Sequence, residues 1–399
     1  MFVLALCLAL GLAQPPTLPM APVRPSAKLC AEAVDLLNKG KLNEGLQKLE
    51  EATKADPEDP QPHDITAQVY QHLAKNATPY AADYYREKAG DEAELIRLAK
   101  GSDSNSRVRA QVMLESIHQD EFPREDSAVP GAVKAFKEAE QWFHQKQFDK
   151  AREAYKQALE LDPHFAVAAL YVGDCYHAES KPAEAALWFR KATEIRPDYP
   201  KAWRYLSDGL LALGKRKEAE SALLGGIAAH PGNRLTWLNL MLLRAEGDKP
   251  MSKLGFCSPV IPSWDEKGQQ ALTLPEKTDD PEGQAIWVLL VSSAMDRISI
   301  EVNDDQNSHT ELPLQTRFQK EFFFWSLGLE RLEAICKEKK QEPKDRILRQ
   351  FLVFKRDGQL EPALFLLRYK EAFRPDFEAW KKKNPAGITA FLDRYNLRP

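Results

Sequence analysis

The sequence predicts an all-α protein built by stacking helical hairpins, and three observations predict it. First, one pattern returns three times between Ala132 and Asn233 at a spacing of 34 residues. Ala151, Ala185 and Ala219 share one register, and Tyr155, Phe189 and Leu223 share the next. Ala158, Ala192 and Gly226 follow, and Pro163, Pro197 and Pro231 close each unit. Upstream, Ala139, Gly173 and Ser207 are in phase, as are Trp142, Tyr176 and Leu210. Second, these residue types suit two antiparallel helices. Small residues at the crossing points let helix axes approach to roughly 8–10 Å, aromatic residues fill the space between them, and proline ends a unit because it cannot continue a helix. Third, no stretch shows a convincing run of strand-like alternation. A single hairpin cannot bury its apolar face alone, so neighbouring units must stack.

A 34-residue period with small, aromatic, alanine and terminal proline positions resembles the tetratricopeptide repeat, a helix–turn–helix unit. The resemblance implies a right-handed α-solenoid, here with a diverged helical C-terminal part, of the exported bacterial type.

Taken in order, residues 1–13 read as a signal peptide. Phe2 to Ala13 is apolar, and Gly11 and Ala13 suit cleavage before Gln14. The run falls short of the roughly 20 residues that span a bilayer, although no Lys or Arg precedes it. Residues 14–25 are a proline-rich leader. Residues 26–124 hold partly degenerate hairpins. Ala33, Leu36, Gly40, Gly45, Leu49, Ala52 and Pro57 match the central units, and Gly45, where alanine is usual, predicts a weaker unit. Ala81, Tyr85 and Ala89, then Ala110, Leu114 and Ile117, predict the second helices of two irregular hairpins. Glu121 to Pro130 is a charged linker.

Residues 132–246 comprise the three regular units and a lone capping helix carrying Trp237, Leu240 and Met241 on its inner stripe. Residues 247–281, with prolines at 250, 259, 262, 275 and 281, form a linker dividing the protein in two. Residues 282–399 return to helix. Asp280-Pro281 caps the first of these helices, and the apolar stretch Ala285 to Met295 belongs inside. A longer helix covers about Thr316 to Lys339, with Phe322, Phe323, Phe324 and Trp325 read chiefly as core. Gly358, Leu360, Ala363, Leu367 and Pro375 recover the repeat spacing, and Arg374-Pro375-Asp376-Phe377 echoes Arg196-Pro197-Asp198-Tyr199.

The net charge of −4, with 43% hydrophobic and 29% charged residues, gives no argument for nucleic acid or a membrane surface. After signal cleavage Cys30, Cys175, Cys257 and Cys336 remain, too far apart for a metal knuckle or a CxxC pair. One disulfide among them is compatible with export, its pairing open, while Cys175 reads as a buried small residue. Gly209-Leu-Leu-Ala-Leu-Gly214-Lys215-Arg216 approaches a phosphate-binding loop. Arg216 replaces its Ser or Thr, however, and Gly214 reads as a left-handed turn between helices. Asn303, Asp305 and Asn307 alternate as in a calcium loop, but Ser308 and Leu314 replace its glycine and glutamate. No catalytic, metal or cofactor motif emerges.

What remains is a groove. In the repeat family, one stripe of each first helix lines the concave face and binds peptides. Here that stripe reads Phe136, Glu140 and Phe143, then Leu170, Asp174 and His177, then Lys201, Arg204 and Asp208. It departs from the lysine- and asparagine-rich clamp for carboxylate-ended tails. Glu140, Asp174 and Asp208 share one position and predict a carboxylate ladder for a segment carrying Lys or Arg. The expectation is a non-enzymatic, exported scaffold, periplasmic or secreted, that binds a protein or peptide in an envelope complex. It uses no cofactor and no nucleic acid, and has no membrane span after cleavage. Two other readings stay open: a structural subunit whose groove is filled by its own chain, and an enzyme with its site in the C-terminal part.

Overall fold

The computed structural model describes residues 24–77, 79–116, 127–245, 247, 250–254, 261–264, 270–273, 280–291 and 316–399. The signal peptide at 1–13, residues 14–23 of the leader, Cys257 and the calcium-like stretch at 303–314 lie outside them. The chain is all-α, with strand among the described residues confined to four short pieces: β1 (Ser252–Lys253), β2 (Ile261–Trp264), β3 (Gln270–Thr273) and β4 (Leu397–Arg398). It divides into two compact units, residues 1–119 with 264–271 and residues 120–263 with 272–399. The division therefore falls near residue 120 rather than at 247–281. The reason is that β1 pairs in parallel with β4, which ties the start of the proline-rich stretch into the second unit. β2 pairs with β3, so that stretch is not purely loop.

The first unit opens with a hairpin of α1 (Pro25–Asn38) and α2 (Leu42–Ala55) around Cys30, Ala33, Leu49 and Ala52. Gly45 is a fitted residue here, not merely a weak one. A β-carbon built on it would stand 2.6 Å from Cγ of Leu37, which fills the space alanine uses elsewhere. α3 (Pro60–Lys75), capped by Asp59, pairs with α4 (Pro79–Leu98), and α5 (Ser104–Ser116) follows. The described residues thus hold one irregular hairpin and then a single helix, where two hairpins were expected. Ala110 and Leu114 are buried, but on a helix that packs directly against α4.

In the second unit the repeats pair α6 (Pro130–His144) with α7 (Phe148–Leu161), α8 (Ala166–Ala178) with α9 (Pro182–Ile195), and α10 (Pro200–Ala212) with α11 (Arg216–Ala229). The recurring alanines, Tyr155 and Phe189 are all buried. Gly173 exists for Phe189, because a β-carbon there would come within 2.6 Å of its ring. The turns at Lys146, Ser180 and Gly214 stand 34 residues apart and all take a left-handed backbone, with φ of 58°, 59° and 72°. Each closes with the same pair of bonds, Gly214 N–H to Leu211 O and Lys215 N–H to Leu210 O, both 2.9 Å, in the third repeat.

α12 (Arg234–Ala245) buries Trp237 and Leu240, while Met241 is half-buried. Trp237 donates to Pro231 O at 2.6 Å, as Trp203 donates to Pro197 O at 2.8 Å in the preceding repeat. Trp203 is only half-buried, because it lies flat over Gly225 at the hairpin edge. α12 is also not the terminal cap. That role falls to later elements: helical residues 281–291 (α13), α14 (Arg317–Lys339), α15 (Arg346–Arg356), α16 (Leu360–Leu367), α17 (Arg374–Lys383) and α18 (Gly387–Tyr395).

Asp280 caps α13 by accepting from Gly283 N–H at 3.1 Å, and Thr316 opens α14 with a capping box through Gln319. Gly358 (φ 66°) turns α15 into α16, a hairpin of the repeat type with a shortened second helix. Pro375 has moved from the end of a unit into the first turn of α17. From α17, Lys381 and Arg374 donate to the last carbonyls of α11, Ala228 O at 2.6 Å and Ala229 O at 3.3 Å. Buried His230 beside them has its Nε2 3.3 Å from Glu371 and packs edge-on against Tyr369. Cations at a helix C-terminus complement its dipole, so this seam is polar as well as packed.

Candidate functional site

The first helices α6, α8 and α10 lie side by side and present one shared face. Aromatic rings form its floor. Phe136 of α6 is half-buried, with its centroid 5.2 Å from Tyr155, 5.1 Å from Phe165 and 5.5 Å from Tyr171. Tyr155 stacks on Tyr171 at 5.5 Å, and Tyr205 meets Phe189 edge-on at 5.4 Å. Phe143 is half-buried against Phe148 at 5.4 Å.

The three carboxylates expected to form a ladder are not equivalent. Glu140 accepts a hydrogen bond from Tyr155, whose hydroxyl is pushed up by burial and then by that bond. Asp174 is half-buried and forms no hydrogen bond or ion pair among the described residues. Burial raises its pKa above the ordinary carboxylate value; His177 and Lys201 pull it down, and Glu140 adds to the rise. Asp208 is exposed. Lys201 holds its ammonium 5.7 Å from the Tyr171 ring, beyond ion-pair reach of Asp174. Burial, followed by the Asp174 charge, pushes Tyr205 up to about 12.

Two of the sequence-derived residues do not reach the face. Leu170 is 1% exposed and Arg204 4% exposed, because both turn into the packing between adjacent hairpins. Their places are taken by Tyr171 and Tyr205, one residue later in each repeat. The signal was present in the sequence, since these two tyrosines also stand 34 residues apart. His177 is exposed at the end of α8. Cys175, next to Asp174, points into the core, and burial pushes its thiol up to about 12. Cys30, Cys175 and Cys336 are free and buried. Among the described residues no group of three His, Cys, Asp or Glu could hold a metal ion, and no helix is long and apolar enough to cross a membrane. Gly214, the centre of the phosphate-loop look-alike, turns one helix into the next.

Residues 140–200, which carry most of this face, match the family model described as the tetratricopeptide repeat. Over those residues the chain is similar to the tetratricopeptide repeat family. Among solved tetratricopeptide repeat structures it is similar to the Sgt2 domain from Aspergillus fumigatus, at 25% identity over 31% of this chain and 84% of that one, with a TM-score of 0.28. It is also similar to the first such domain of Spaghetti (RPAP3) bound to an HSP90 peptide, at 21% identity over 30% of this chain and 94% of that one, TM-score 0.28. A third likeness is to the TPR2AB domain of yeast Sti1 in its pHSP90 complex, at 13% identity over 56% of this chain and 98% of that one, TM-score 0.28. No curated protein matches the chain in sequence.

Proposed function

We propose that the second unit of this protein is a non-catalytic scaffold whose α6–α8–α10 face holds an extended peptide bearing a Lys or Arg side chain. Asp174 carries the reading. A half-buried carboxylate without a partner is costly on its own, and it stands beside Tyr171 and Tyr205. An incoming ammonium or guanidinium would supply the missing hydrogen bonds, and the aromatic floor would hold the aliphatic stem. Phe136 and Phe143 offer apolar contact further along α6. The apolar run of residues 1–13 supports export, so the proposed setting is an envelope complex. N-terminal sequencing of the native protein tests that part, and a protein retaining Met1 in the cytoplasm would refute it.

The binding reading is tested with two labelled extended peptides that differ only in a central Lys or Glu, titrated by fluorescence anisotropy. The Lys peptide should bind in a salt-dependent way. Asp174→Asn should weaken it roughly tenfold or more, consistent with about 1.5–3 kcal/mol for a hydrogen bond to a charged group. Equal binding of both peptides, or no effect of Asp174→Asn, would sink the proposal.

A further inference from the structure

Among the described residues the longest helix is α14, and it presents a second surface unrelated to the peptide face. Its buried stripe runs through Phe318, Trp325, Leu329 and Leu332. At 3.6 residues per turn, Phe323 and Leu327 occupy the opposite stripe, where they are 55% and 42% exposed. Phe324, half-buried at the edge, meets Phe323 edge-on at 5.6 Å. The four-aromatic cluster is therefore split, with Trp325 in the core and Phe323 facing out.

Lys320 lies one turn before this pair and Arg331 one turn after it, on the same stripe. Neither side chain forms a hydrogen bond or ion pair among the described residues. By contrast, Lys337 reaches Glu333 at 3.8 Å and Lys339 engages Glu282. Glu330 stands to one side and is exposed.

We infer that this stripe docks an amphipathic helix of another protein, one whose apolar residues at i and i+4 are bracketed by carboxylates. A single exposed apolar side chain needs no explanation. Here Phe and Leu stand one turn apart, with a cation at each end that is unpaired among the described residues, which is the spacing at which helices anchor helices. The cations select an acidic partner and set its register more than its affinity. Two positive groups beside Glu330 are too few for a phosphate backbone, whose binding rests on many neutralised charges, or for an anionic membrane, which calls for a denser basic cluster.

The test uses the full chain and two synthetic helical peptides. One has Leu at i and i+4 with Glu one turn to either side, and the other has Lys in place of each Glu. In anisotropy titrations the acidic peptide should bind saturably and the basic one should not. Lys320→Glu with Arg331→Glu should weaken the acidic peptide by roughly 2- to 30-fold, two exposed pairs' worth, and admit the basic one. Phe323→Ser with Leu327→Ser should abolish binding without shifting the thermal melt, whereas Asp174→Asn should leave it untouched. Equal binding of both peptides, binding of neither, or an acidic peptide indifferent to the serine changes would overturn the inference. So would a self-association in sedimentation that the serine variant removes, since the stripe would then belong to a second copy of this chain.

Discussion

The sharpest prediction concerns one backbone position in three repeats. Lys146, Ser180 and Gly214 share a left-handed turn with matching hydrogen bonds, yet only the last is glycine. A side chain in that conformation costs about 1–2 kcal/mol, while glycine gives back about 0.4–1 kcal/mol through a more flexible unfolded chain. Ser180→Gly should therefore stabilise by roughly 0.5–1 kcal/mol, and Gly214→Ala should destabilise by a similar amount. Sterics do not blur the comparison, because a β-carbon at Gly214 meets nothing within 4 Å. Repeat arrays open locally, so native-state hydrogen exchange of amides in α8 and α9, and in α10 and α11, reads each turn separately. The two changes must have opposite signs. If Ser180→Gly loosens its hairpin, or Gly214→Ala leaves its own unchanged, the shared-turn reasoning is wrong.

Three further outcomes follow from the packing and the charges. Phe189→Ala should cost about 3–5 kcal/mol in a denaturant melt, whereas Lys215→Ala, whose pair with Glu218 is half exposed, should stay within about 0.5 kcal/mol. Burial alone would raise Glu371, but His230 and Arg374 overcome it and hold it at about 2. A depressed carboxylate adds stability above its unfolded value of 4.5 and loses it as pH falls toward about 2. Glu371→Gln should thus cost about 1–2 kcal/mol at neutral pH, after discounting for its exposed edge, and flatten the melting-temperature profile between those values. Asp174 has the opposite sign. Its raised pKa means that the folded state gains from protonation below the ordinary carboxylate value, and that this gain is lost as pH rises through the folded value. Asp174→Asn should therefore melt slightly higher than the native chain at neutral pH, a gain in stability alongside the loss in binding.

The repeats were legible because the residues that make them are periodic. Ala151, Tyr155 and Ala158 are constrained by helix crossing, so the same types recur wherever helices cross. The face was harder to read. Leu170 and Tyr171 are neighbours on a helix apolar on nearly all sides, and one step of 100° decides which of them meets solvent. The position of the following hairpin sets that rotation, and a single-helix pattern does not contain it. Arg204 misled for a related reason: charge suggests surface, yet its long stem is buried between hairpins. That no division falls at the proline-rich stretch was hidden because it depends on β1 meeting β4, two-residue strands more than a hundred residues apart in sequence. Such a pairing leaves no local periodicity.

The seam at the end of α11 gives the array a definite length. An open stack of identical hairpins has no intrinsic reason to stop, and its last member presents a sticky surface onto which another can add. Here Arg374 and Lys381 occupy the terminal carbonyls of α11, and the strand at Leu397–Arg398 fastens beside Ser252–Lys253. That plug works as a ruler. It forbids end-to-end growth from this side and stops the final hairpin from peeling away first. The three regular repeats are thereby held to a single registration, a fixed span rather than an open series.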